Sequence, residues 1–187
     1  MNRTACRSVA GFTIVELVMV LVIMGILGAI GVSRFWDNSI FQNRAYADQA
    51  RSIIRYAQKL AIAQNRPIFV ITNGNSFAVC SGPGCAANEL VTAPGGGNSG
   101  SAATRARCQS GGSYNAAWLC EGRPDNVNVA ASIDTGGFFY FDAFGRPYNA
   151  ADNTPGVSTF RQQLLLTFSS GGNNSQIIIW PETGYVQ

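Results

Sequence analysis

Histidine is absent from this 187-residue chain. That excludes His-dependent triads and dyads and histidine-ligated zinc. Lysine occurs only at position 59. Ser52 precedes Lys59 by two helical turns, about 10 Å, too far for an activated nucleophile pair. No phosphate loop of the GxxxxGK type occurs. The acids Glu89, Glu121, Asp125, Asp134, Asp142 and Asp152 are scattered, so only the fold can bring a carboxylate pair together. No enzyme and no cofactor is expected. Charged residues make up 12% of the chain, with Lys+Arg 13 against Asp+Glu 10, which leaves no strong electrostatic footprint for nucleic acid. Cys80-x4-Cys85 plus two distant cysteines is a poor metal set, and Asp152-Asn153 lacks a calcium-loop motif. Proline is missing before Pro67, and neither Pro nor Gly interrupts Phe35 to Gln64.

What is present begins with a long apolar run. From Phe12 to Val32 only Thr13 and Glu16 are conventionally polar. At about 1.5 Å per residue such a helix reaches across a hydrocarbon core of roughly 30 Å. A lone carboxylate there is unfavourable by ~3 kcal/mol on insertion scales, so Glu16 calls for a partner. Arg3 and Arg7 precede the run without an acid among residues 1–11, which places that end in the cytoplasm and the remainder outside. Two other readings of the run are open: a secretory signal cut near Ala-Ile-Gly-Val at 29–32, and an uncleaved signal anchor. Five cysteines occur, Cys6, Cys80, Cys85, Cys108 and Cys120. Loss of residues 1–11 leaves an even four beyond the membrane run, which reads as a disulfide framework in an oxidising compartment. Three pairings are open, and Cys80–Cys85 with Cys108–Cys120 requires the least chain closure.

Helical periodicity continues past the apolar run. Ile40, Ala47, Ala50, Ile54, Ala57 and Ala61 form a stripe, with Tyr46, Ile53 and Leu60 beside it, while Arg44, Asp48, Arg51, Arg55 and Lys59 fall mostly outside it. This predicts an amphipathic helix stopped by Pro67, so that helix runs from Phe12 to about Asn65, about 80 Å if unbroken. Strand signals follow at 68–72 and 76–80 around Asn73-Gly74, then at 127–130, 137–141, 163–168 and 176–180, with a short edge strand near 181–186. Residues 81–126 are rich in Gly, Ala, Ser and Asn, and read as a surface loop stapled by disulfides, with Trp118-Leu119 tucked on the core. One long helix followed by strands implies an α+β fold, the helix packed on a mainly antiparallel sheet.

Gly11-Phe12-Thr13-Ile14-Val15-Glu16-Leu17 after an arginine-containing leader resembles the signal of type IV prepilins and type II secretion pseudopilins. Phe141, Phe144-Gly145-Arg146-Pro147, the strand near Leu165, and Ile178 with Pro181-Glu182-Thr183-Gly184 resemble the GspH/FimT group of that family. One departure is the absence of a helix proline, with Gly25, Gly28 and Gly31 instead. The resemblance implies cleavage between Gly11 and Phe12 by a prepilin peptidase, methylation of the Phe12 amine, and an assembly role for Glu16 opposite that amine. It implies a leader at 1–11, a membrane and assembly half-helix at 12–36, an amphipathic half at 37–66, and a β-rich head at 67–187 with the stapled loop at 81–126. The implied partners are other pilins through the N-terminal helix, the peptidase, the inner-membrane assembly platform and the membrane. The implied location is the inner membrane, single-pass with the head in the periplasm, and then the filament. A type II secretion pseudopilin fits the same residues. A weaker alternative is DNA binding in uptake, as in some FimT-like pilins, through Arg105, Arg107, Arg123, Arg146 and Arg161.

Overall fold

The computed structural model describes residues 12–35, 39–152 and 156–187, side chains excepted at 29–35, 39 and 40. Gly11, Gly31 and the leader lie outside these residues or side chains, as does the stretch 36–38 in the middle of the expected long helix. In chain order the elements are α1 (Ile14–Phe35), α2 (Ser39–Gln64), β1 (Ile68–Ile71), β2 (Ser76–Cys80), α3 (Ala102–Arg107), β3 (Gln109–Ser110), β4 (Ser113–Tyr114), β5 (Cys120–Gly122), β6 (Asn128–Ala131), β7 (Phe138–Phe141), β8 (Pro147–Asn149), β9 (Leu164–Ser170) and β10 (Asn173–Ile179). The chain divides into two units at Asn38/Ser39, the first carrying α1 and the second everything that follows.

In the first unit, Thr13 caps α1. Its Oγ1 accepts from the Glu16 amide at 3.3 Å, and its carbonyl accepts from the Leu17 amide at 3.2 Å. The first bond satisfies an amide that a helix start otherwise leaves unpaired, and the second is the first bond of the helical ladder. From Phe12 to Leu27 the large apolar side chains are exposed on every face of the helix. Among the described residues no helix is long and apolar enough to cross a membrane. The span expected from Phe12 to Val32 runs past Gly28, the last α1 residue whose side chain is described.

In the second unit, α2 forms because alanines and aliphatics recur on one face. Tyr46, Ala47, Ala50, Ile53, Ile54, Ala57 and Ala61 are buried, and the alanines let the backbone come close to the sheets beneath. The other face keeps Arg44, Asp48, Arg55 and Lys59 in solvent, with Arg51 paired to Asp48. Such an exposed pair contributes about 0–1 kcal/mol. Asn65 ends the helix in the left-handed region, φ 51. Its amide donates to Ile62 O at 3.3 Å, the Arg66 amide donates to Ala61 O at 3.2 Å, and Pro67 prevents further helix.

The helix lies over two antiparallel sheets. One has the order β5-β2-β1-β7-β8, the other β10-β9-β6. The β1–β2 hairpin pairs Val70 with Val79. Its turn works because Asn73 Oδ1 accepts from the Asn75 and Ser76 amides while Gly74 takes φ 77. Strict alternation of burial along β9 turns Leu164, Leu166 and Phe168 inward. The core gathers these with Ile177 and Ile179 of β10, Val70, Phe77, Phe139 and Phe141 of the larger sheet, and the buried face of α2. Tyr46, Phe77 and Phe168 meet there with ring centroids 5.7–5.9 Å apart. The helix-on-antiparallel-sheet architecture expected from the sequence is therefore present.

Two parts of the head differ from the sequence expectation. Residues 81–126 do more than loop over the surface. They supply α3, the β3–β4 hairpin and β5, which joins the larger sheet beside β2. The bridges are Cys80–Cys85 and Cys108–Cys120. Trp118 is buried and its Nε1 donates to Val79 O at 2.9 Å. Ser101 caps α3 by accepting from the Thr104 amide, and α3 lies so close to β5 that a Cβ at Gly122 would sit 2.3 Å from Ala103 O. Strands of two or three residues are too short to show a period. The second difference is β8, for which the sequence gives no strand signal. Pro147 is its first residue, on a sheet edge, where a missing amide costs no ladder bond.

Candidate assembly site

Phe12 is 80% exposed, and Glu16 stands in the first turn of α1. The positive end of the helix dipole favours a carboxylate there. Thr13-x-x-Glu16 is also the capping-box spacing, with Thr13 accepting from the Glu16 amide. The spacing alone carries that local role for the Thr13–Glu16 pair. Gly25 and Gly28 have open space where a Cβ would stand, which leaves room for another helix to approach. An element apolar on all faces requires lipid or other helices around it.

The two head motifs at 141–147 and 178–184 are brought together against α2. Gln58 Nε2 donates to Gly145 O and to Thr183 O, both at 3.0 Å. Gly145 has φ +78 and Gly184 φ +63, and a Cβ on Gly184 would lie 2.2 Å from Gly145 O. Asp142 is buried. Its Oδ1 accepts from the Phe144 and Arg146 amides at 2.9 and 2.8 Å, and its Oδ2 from Arg146 Nε at 2.8 Å and Nη2 at 2.7 Å. The hydrogen bond and charge of Asp142 raise the pKa of the Arg146 guanidinium. This constellation is a structural clasp fastening both turns to the helix. Nothing in the sequence singles out Gln58, because its role is set by turns distant in the chain.

The five arginines weighed for nucleic acid do not form one uncommitted surface. Arg107 is paired with Asp125 at 2.6 Å, Arg146 with Asp142, and Arg123 donates to Val127 O. Arg107 lines a cavity beside Trp118, whereas Arg146 and Arg161 line another beside Tyr148 and Phe160. Ser52 Oγ donates to Asp48 O at 2.9 Å, a local helix bond with no link to Lys59. Among the described residues no three acids or cysteines converge as a metal set. Asp152 is engaged by the Asn149 amide and by the Thr159 amide and hydroxyl at 2.6–3.0 Å, so it latches a loop.

Comparison with known proteins adds three findings. The type IV narrow pilus major component PilA5 of Thermus thermophilus is 43% identical over 58 residues, 31% of this chain and 50% of PilA5. The chain thus spans about half the length of that curated relative. Two crystal forms of the type IV minor pilin FimU of Pseudomonas aeruginosa align at TM-score 0.44, with 13% and 12% identity. Each alignment covers 77% of this chain, and 85% and 90% of the FimU chains. Residues 6–32, which hold Gly11, Phe12, Glu16 and most of α1, match the prokaryotic N-terminal methylation motif.

Proposed function

We propose that this chain is a minor pilin-like subunit of a type IV pilus of the MSHA kind, most like the minor pilin MshC. It is made as a membrane-anchored precursor, cut between Gly11 and Phe12 by prepilin peptidase, and N-methylated at Phe12. It enters a filament through its N-terminal helix, next to other pilins on an inner-membrane assembly platform, and supports assembly or attachment. The observation that carries this reading is the methylation motif over residues 6–32, opening a helix whose large apolar side chains stay exposed from Ile14 to Leu27. A free amine at Phe12 is mostly protonated near neutrality, its reference pKa being about 7.7–8.0. Glu16 pairs with that amine, in its own chain or a neighbour's, and offsets part of the carboxylate's desolvation.

The test is N-terminal sequencing and intact mass of the mature chain from sheared surface filaments and from envelopes. The expected result is an N-methylated Phe12 start with recovery in the filaments. A start elsewhere overturns the processing step. Strict retention in the envelope assigns the chain instead to a type II secretion pseudopilus, built from the same parts.

A further inference from the structure

The end of the head where α2 finishes carries an apolar patch that the clasp itself creates. Among the described residues of the head, the exposed large apolar side chains are Phe41, Ile62, Phe144, Val157, Trp180 and Tyr185. Four of these surround the Gly145–Gly184 contact. Ile62 Cδ1 lies 2.9 Å from the position of a Gly145 Cβ. Phe144 and Tyr185 flank the two glycines in sequence, and Trp180 is tied by backbone bonds to Gly184 at 3.0 Å and Tyr185 at 2.9 Å. Phe144 is 79% exposed, and the Arg146 guanidinium lies 5.3 Å from its ring centroid. Exposed apolar clusters rimmed by charge mark interaction surfaces, and aromatic–arginine pairs are frequent anchors there.

Beside Phe144 a cavity of ≈ 310 Å³ opens, walled by Phe144, Pro67 and Tyr148 and rimmed by Arg66 and Arg146. Asp142 holds the Arg146 guanidinium through Nε and Nη2, with Tyr148 beside it as a further side-chain partner, so the group is fixed at the cavity rim. Arg66 Nε donates to Gln64 Oε1 at 2.7 Å. With one acid against two guanidiniums the rim is cationic, and exposed Lys59 stands one helical turn before Ile62. A two-fold pairing of copies would set these cations against their own counterparts. We propose that this cavity docks a different protein chain, by an aromatic or aliphatic side chain with a carboxylate next to it, the apolar group filling the cavity and the carboxylate meeting Arg66 and Arg146. The inference rests on the assembly reading only for where the partner is met.

The experiment places p-benzoylphenylalanine at Phe144 in the full-length chain in its native cells, with Asn126 as the comparison position. Asn126 is exposed and lines a cavity at the opposite end of α2, beside Gln42. The expected result is an adduct at 144, absent at 126, with a different chain whose captured peptide holds Asp or Glu beside an apolar residue. Arg66→Glu should lower its yield about tenfold, and replacing the partner's acid by lysine should restore it. An adduct with a second copy, with lipid or with nucleic acid overturns the proposal, as does no adduct or one indifferent to Arg66→Glu. Phe144→Ala should leave chain level and both disulfides unchanged while lowering co-purification of the same partner. The N-terminus of the same sample is read in parallel, so a start other than Phe12 removes the assembly reading without touching the docking result.

Discussion

At the scale of single residues, Glu16 has two roles that predict different mutants. As N3 of a capping box it is replaceable by glutamine, which keeps an amide oxygen to reach the cap. As the counter-charge of a terminal amine it is not. The filament reading predicts that Glu16→Gln and Glu16→Val are both processed but both poorly incorporated, read as the ratio of filament to envelope chain. Normal incorporation of the glutamine variant would leave only the cap. Aspartates set the acid limit of the head. The Asp125 pKa is lowered by the hydrogen bond and charge of Arg107. Burial pushes Asp152 upward, but the Thr159 hydroxyl and the Thr159 and Asn149 amides outweigh it, so its pKa is lowered too. A carboxylate with a lowered folded-state pKa contributes stability that is full above its unfolded value, about 3.9, and lost as pH falls through the folded value. The urea midpoint should therefore hold down to about pH 4 and drop below it, and Asp152→Asn should make the drop shallower. A midpoint independent of pH from 4 to 2 would contradict this.

At the scale of elements, the clasp and the staples are where the head should be most sensitive. Gly184→Ala places a methyl 2.2 Å from Gly145 O on a residue at φ +63, and should cost about 3 kcal/mol or more in urea unfolding. Gln58→Ala removes two hydrogen bonds and should cost about 2 kcal/mol. If both variants unfold like the parent, the two turns are not held by this contact. Cys108–Cys120 closes a loop of sequence separation 12, against 5 for Cys80–Cys85. Replacing Cys108 and Cys120 by serine should cost about 3 kcal/mol, more than the same change at Cys80 and Cys85. Equal losses would show that local packing around Trp118 dominates chain closure. The longer elements were legible because their periods repeat: 3.6 along α2, and alternation in β9. The short ones, β3, β4, β5 and α3, were not. β3 and β4 are a hairpin of two residues a side, too short to show a period, and β5 is held by distant neighbours, β2 on one side and α3 on the other.

At the scale of the whole molecule, the proposed assembly reading puts the two ends in different compartments, in keeping with the arginines before the apolar run and the four cysteines beyond it. The assembly reading predicts that protease added to spheroplasts digests the head, and that cuts inside the Cys80–Cys85 or Cys108–Cys120 loop stay bridged until reductant is added. A head protected until the inner membrane is permeabilised would reverse the topology. The organisation along the chain came from the sequence alone: the motif around Gly11 and Glu16, the apolar run, the amphipathic α2 and the principal strands. These are local, since hydrophobic period and turn chemistry act over a few residues. Only the tertiary structure decided that residues 81–126 complete a sheet, that Gln58 joins two turns distant in sequence, and that this closure leaves Phe144 and Arg66 beside an open cavity. Those features depend on which surfaces meet when α2 closes over the sheets, and no local pattern of residues encodes such meetings.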